Sequence, residues 1–90
     1  MNVRKLDKIQ RTIESYRARG GIKSSELEDL AKELGRVRSK RGSEPTFISQ
    51  PFPDLSPLSI PHHGKDLNKF TAKAIIDQLQ CDLDRWYNVI

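Results

Sequence analysis

The sequence has a single cysteine, Cys81, among 90 residues. One thiol cannot form an internal disulfide, so nothing in the chain favours a secreted, disulfide-linked fold. No stretch approaches the ~18 consecutive apolar residues that a membrane-spanning helix needs. The first ten residues, MNVRKLDKIQ, have charges where a signal peptide would have its apolar segment. We therefore expect a cytoplasmic protein that does not enter the membrane.

Histidine is also scarce, since His62 and His63 are the only two and they are adjacent. Successive side chains of a strand point to opposite faces, so this pair cannot readily share one metal ion. With a lone cysteine and no further histidine, a zinc site would have to recruit carboxylates. We expect no metal site and no cofactor.

The positive charge is unevenly distributed along the chain. Residues 1–42 carry 12 Lys and Arg against 6 Asp and Glu (net +6), whereas residues 43–90 carry 4 against 6 (net −2). The densest basic segment is GRVRSKRGS at residues 35–43. Such a cluster favours phosphate groups, because each cation that neutralises one releases condensed counterions. A solvated basic face explains the composition equally well.

Two helices are predicted in the first third of the chain. Residues 3–19 place apolar side chains three or four positions apart, which indicates an amphipathic helix. In the second helix Ser25 and Glu28 have capping-box spacing, and Gly35 supplies the stop.

The middle of the chain has strand character and the end is helical again. All five prolines lie within residues 45–61, which excludes helix there, and RVRSKRGS, PTFISQ and LSIP have the short alternating patterns of strands. A closing helix is predicted from residue 68 to about residue 87, capped by Asn68 or Thr71. This order predicts an α+β domain with a three-stranded antiparallel sheet and helices on one face.

Aromatic residues are few, and their spacing favours packing. Trp86 and Tyr87 can stack on bases, but they continue the helical stripe of Ile75, Leu79 and Leu83, which favours core or interface packing. Phe47 and Ile48 lie on opposite faces of a short strand. We expect one of the two to enter the core.

The segments SSELEDLAKELG, RGS and LSIPHHGKDLNKFTAKAIIDQL resemble the HicA family of toxin mRNA interferases. The resemblance covers about residues 23–80 and is strongest at residues 60–76. The positions that match the family pattern are Pro61, His63, Gly64, Asp66, Leu67 and Thr71. The resemblance implies an α-β-β-β-α fold of the double-stranded-RNA-binding type for residues 22–90, with residues 1–21 as a helical extension. It also implies an antitoxin of the HicB type as partner.

The chain departs from that family at the catalytic position. The family's histidine follows Gly-Ser, whereas here Gly42-Ser43 is followed by Glu44 and Pro45; Phe70 also replaces a family glycine. A glutamate, with a reference pKa of about 4.3, is a poor general acid and places negative charge where a phosphate approaches. Loss of a positioned acid–base group costs about 10²–10⁴ in rate. We therefore expect impaired catalysis, or none.

Three functional hypotheses follow. The first is a catalytically impaired HicA-like domain that binds RNA through basic residues of the first strand and the closing helix, where Lys65, Lys69 and Lys73 would share one side. The full predicted set is Arg36, Arg38, Lys40, Arg41, Lys65, Lys69 and Lys73. The second is a protein-interaction module that uses the apolar stripe of the first helix to bind a HicB-like antitoxin or a second copy. The third is an active interferase with Glu44 as base and His63 as acid; otherwise His63 is expected to be structural and His62 exposed.

Overall fold

The computed structural model describes residues 1–39, 45–62 and 64–90. Within these ranges the order of elements is α1 (Val3–Ala18), α2 (Ser24–Glu33), β1 (Arg36–Ser39), β2 (Thr46–Ser49), β3 (Leu58–Ser59) and α3 (Lys69–Val89). The strands form an antiparallel sheet in the order β1-β2-β3. The predicted α+β class is confirmed, and in the described part of the chain no helix is long and apolar enough to cross a membrane.

Helix α1 packs along α3 of the same chain. The Asn2 side chain caps it by accepting the Lys5 backbone N–H at 2.9 Å. Its apolar stripe of Leu6, Ile9 and Ile13 is buried in the common core. Contacts between α1 and α3 are among the most extensive in the fold, and Gln10 and Gln80 exchange side-chain hydrogen bonds at 2.9 and 3.2 Å. The stripe is therefore covered in cis.

Helix α2 begins earlier than its capping signal predicted. The Glu26 carboxylate accepts the Lys23 backbone N–H at 3.2 Å, so the reciprocal acidic partner is Glu26 and the prediction of Ser25 with Glu28 is wrong. The helix ends at Glu33, and the predicted stop, Gly35, follows two residues later with a φ of +98°, a conformation that L side chains rarely adopt.

The sheet turns one face to the helices. Phe47 is 1% exposed, whereas its neighbour Ile48 is 41% exposed, which confirms that one of the two enters the core. Phe47 stands opposite Leu58 of β3, and Leu58 is also buried. Ile48 stands opposite Val37 of β1 on the outer face, away from the core.

Helix α3 begins one residue after Asn68, whose side chain accepts the Phe70 backbone N–H at 2.8 Å; of the two predicted caps, Asn68 is the one used. Near its other end the Trp86 indole donates to the Leu34 carbonyl at 2.9 Å and packs edge-on against Phe52, with ring centroids 5.0 Å apart. Tyr87 is also packed against the core. The predicted packing role of these aromatic residues is confirmed.

A buried ion pair joins β1 to α3. Arg36 and Asp82 are each 1% exposed, and two hydrogen bonds of 2.5 and 3.0 Å run from the guanidinium to the carboxylate. The same guanidinium donates to the carbonyls of Phe47 on β2 and Ser56 before β3, at 2.9 and 3.0 Å. The prediction that Arg36 contacts nucleic acid is wrong, because its charge is used inside the core.

We predict that Asp82→Asn lowers the free energy of unfolding by about 3–5 kcal/mol, because it leaves the Arg36 charge buried without a counter-charge. Urea unfolding followed by circular dichroism measures the change. Asp84→Asn, at an exposed position two residues further on, is the matched control, with an expected change within about 0.5 kcal/mol. The double variant Arg36→Met/Asp82→Leu should recover part of the loss. Equal urea midpoints for Asp82→Asn and the control would contradict the proposed role of the pair.

Candidate nucleic-acid interface

One end of the domain brings together the strand ends and the start of α3. The strands meet in a row in which Ser39 pairs with Thr46 and Thr46 pairs with Ser59. The Ile60 backbone N–H continues this row by donating to the Pro45 carbonyl at 3.1 Å. A shallow groove lies beside it, bordered by Leu58, Ser59 and Pro61 on one side and by Phe70, Thr71 and Ala74 of α3 on the other.

Four of the predicted nucleic-acid contacts are exposed, one near the end of β1 and three around the start of α3. Arg38 is the penultimate residue of β1, Lys65 lies in the segment between β3 and α3, and Lys69 and Lys73 lie in the first two turns of α3. Helix α3 begins at Lys69, so the prediction that Lys65 shares a helical side with Lys69 and Lys73 is wrong. Lys65 borders a shallow depression that is also lined by Gly64, Asp66 and Asn68.

The remaining predicted site residues are Lys40, Arg41, Glu44 and His63, and they lie outside the described residues. Their predicted roles in phosphate binding and catalysis therefore stay predictions.

His62 lies in the segment after β3, which ends at Ser59, so it does not belong to a strand as predicted. Its side chain is 72% exposed, as expected, and its Nδ1 is 3.6 Å from Oε1 of Glu28 on α2. An imidazole at this distance can form an ion pair with Glu28 when it is protonated. Within residues 1–39, 45–62 and 64–90, no group of three or more His, Cys, Asp or Glu side chains is arranged to hold a metal ion.

Sequence reasoning missed two cations at the end of α1. The segment after α1 is fastened to the segment before α3, because the Leu67 backbone N–H donates to the Ile22 carbonyl at 2.8 Å and Gly21 lies against the Asp66 side chain. This connection places Arg17 and Arg19 on the same cleft as Lys69 and Lys73. The clustering follows from packing between segments some fifty residues apart in sequence.

Asp77 links the two helices at the edge of this cleft. Its carboxylate accepts hydrogen bonds from Arg17 at 2.7 Å and from Lys73 at 3.2 Å. The hydrogen bond from Arg17, followed by that from Lys73, holds the pKa of Asp77 below its ordinary value. Glu26 forms an ion pair with Arg19 in the same region. The hydrogen bond that Arg19 donates to the Glu26 carboxylate lowers the pKa of Glu26.

Exposed aromatic surface also occurs here. Phe70, noted from the sequence as a departure from the family pattern, is 78% exposed, the largest exposed fraction among the big apolar side chains described. It is one helical turn from Lys73, so an aromatic face and a cation are neighbours on α3.

Comparisons of the chain with protein-family models, with curated proteins and with solved structures found no match. The likeness to the HicA family therefore rests on the short segments quoted above, and it stays a prediction.

We predict that Arg17→Gln raises the pKa of the Asp77 carboxyl toward its ordinary value of about 3.9. Because the pKa is lowered in the folded protein, the pair stabilises the fold above the ordinary pKa, and this contribution is lost as the pH falls through the folded value. An NMR titration that follows the side-chain carboxyl carbon of Asp77 measures this pKa. Arg4→Gln, at the far end of α1, should leave it unchanged, and an unchanged Asp77 pKa in Arg17→Gln would refute the assignment.

Proposed function

We propose that the chain is a catalytically impaired HicA-like domain that binds RNA. The observation that carries the proposal is that Arg38, near the end of β1, and Lys65, Lys69 and Lys73, around the start of α3, are all exposed. Several exposed cations can neutralise several phosphates of one polyanion, and each such contact releases counterions.

The start of α3 adds a second attraction for phosphate. In residues 69–72, its first turn, there is no acidic side chain to offset the positive end of the helix dipole. The helix is 21 residues long and begins with Lys69, so fixed backbone partial charge and a mobile side-chain charge act in the same region. Backbone contacts of this type bind RNA by its shape and charge, with little reading of sequence.

We propose impaired catalysis because of the acid–base chemistry of the residues present. Cleavage through the 2′-hydroxyl needs a base, an acid and cations that stabilise the charged transition state. The family position for one histidine holds Glu44, which supplies neither an acid at neutral pH nor positive charge. An active interferase would depend on Glu44 and His63 sharing these roles.

The protein-interaction hypothesis is weakened at its main support. It depended on an apolar stripe of α1 in need of a partner, and α3 covers that stripe within the same chain. On the outer face of the sheet, the described apolar side chains are Val37 and Ile48, which form a small surface for an antitoxin or a second copy. RNA is therefore the partner that the charged end favours.

We predict that the protein binds a fluorescent RNA oligonucleotide and that added salt weakens the binding. Fluorescence anisotropy measures the affinity between 50 and 200 mM salt, a range over which a protein with six to ten phosphate contacts loses roughly 10³–10⁵ in affinity. Arg38→Ala/Lys65→Ala should weaken binding and reduce the slope of log affinity against log salt by about 0.7–0.9 for each phosphate that is no longer neutralised. Lys23→Ala/Lys32→Ala removes two exposed lysines of the α2 region and is the charge-matched control. Absent or salt-independent binding would overturn the proposal.

We also predict that the wild-type protein does not cleave RNA at high protein concentration, and that Glu44→His increases cleavage. The added imidazole supplies an acid–base group that titrates near neutral pH, which typically contributes about 10²–10⁴ in rate. Gel analysis of a labelled RNA measures it, with Glu44→Gln as the control for loss of charge alone. Cleavage by the wild type that disappears in His63→Ala would instead support an active interferase.

A further inference from the structure

A cleft between the end of α1 and the start of α3 has an apolar floor. The floor is formed by Ile22, Leu67, Ala72 and Ile76, and the cleft encloses about 260 Å³. All four side chains are largely buried, at 3–7% exposure, so the floor is the outer boundary of the core. Pockets for whole small molecules measure about 300–1,000 Å³, so this cleft fits one flat ring system with the rest of the ligand outside.

The rim of the same cleft is cationic. Arg17 and Arg19 border it on the α1 side, and Lys69 and Lys73 border it on the α3 side. No carboxylate of the described residues lines it, although Asp77, Glu26 and Asp66 lie nearby and pair with or attract these cations. Lys69 forms no ion pair with any other described residue. It is the rim cation most available to a ligand.

Tyr16 completes the cleft with an aromatic wall. It is half-buried against the core, and the Arg19 guanidinium lies 5.1 Å from its ring centroid. An aromatic ring and a guanidinium both offer flat faces on which a nucleobase stacks, and such stacking contributes about 1–3 kcal/mol per base in single-stranded RNA complexes.

We infer that this cleft accepts one unpaired nucleotide of RNA, with the base on the apolar floor beside Tyr16 and the phosphate at the rim beside Lys69. The size excludes a helix or a folded peptide, and Lys69, the rim cation without an ion pair among the described residues, favours an anionic ligand over a neutral one. This inference rests on the proposed function for RNA as the source of the nucleotide. It adds that the site takes a single-stranded or terminal base, whereas the end of the sheet contacts only the backbone.

A nucleoside monophosphate tests the cleft separately from RNA. Uridine 5′-monophosphate is titrated into the full-length ¹⁵N-labelled protein, with uridine and inorganic phosphate as separate probes. The monophosphate should shift the amide signals of Gly20, Ile22, Lys69 and Ala72 at concentrations where neither fragment alone does so. Lys69→Gln should weaken this binding about tenfold, because it removes a hydrogen bond between charged groups.

Gly20 permits a sharper test of charge. A Cβ at this position would have no heavy atom of the described residues within 4 Å, and its φ lies outside the range that L side chains avoid. Gly20 lines the cleft, so Gly20→Asp adds a carboxylate beside it with no clash at Cβ, and Gly20→Asn adds nearly the same shape without charge. We expect Asn to retain binding and Asp to weaken it by at least about threefold.

The outcomes separate the two proposals. RNA binding without monophosphate shifts in the cleft would overturn this inference and leave the proposed function standing. Equal shifts from inorganic phosphate and the monophosphate would also overturn it, since the base would contribute nothing. Monophosphate shifts in the cleft without RNA binding would support the site and reject the proposed function. Equal affinity of Gly20→Asp and Gly20→Asn would overturn the role of rim charge.

Discussion

The buried pair of Arg36 and Asp82 is the constraint on which the rest of the arrangement depends. One guanidinium bonds α3, β2 and the segment before β3, while its own residue begins β1. Asp82 is therefore held beside the start of β1. Lys69 lies thirteen residues earlier on the same helix, about 20 Å away along the axis, so the start of α3 must lie at the opposite end of the domain.

Much of the fold could be predicted from local patterns. Apolar spacing identified α1 and α3, and the prolines confined the strands to the middle of the chain. The failures involve partners distant in sequence. Arg36 and Arg38 look equivalent in RVR, and only the position of Asp82, 46 residues away, makes one internal and the other exposed. Asp82 adjoins the apolar stripe of α3. A carboxylate at a position that faces the core indicates that a buried cation is its partner.

The candidate site was predictable only in part, for the same reason. Lys69 and Lys73 were identified because they share a helix, whereas Arg17 and Arg19 belong to a segment outside the family resemblance. Packing of α1 on α3 and the hydrogen bond from Leu67 to Ile22 bring the two pairs together. A surface built by tertiary contacts has no local sequence pattern, so spacing could not reveal it.

The central claim is that RNA binds at the end of the domain where the strand ends meet the start of α3. Mapping of amide signals during a titration with single-stranded RNA tests it most directly, because it reports the location of contact on the unmodified protein. We expect the shifts to concentrate at Arg38 and residues 64–73, with further shifts at Gly20 and Ile22 where the cleft takes an unpaired base. Shifts confined to the outer face of the sheet around Val37 and Ile48, or the absence of any shift, would contradict it.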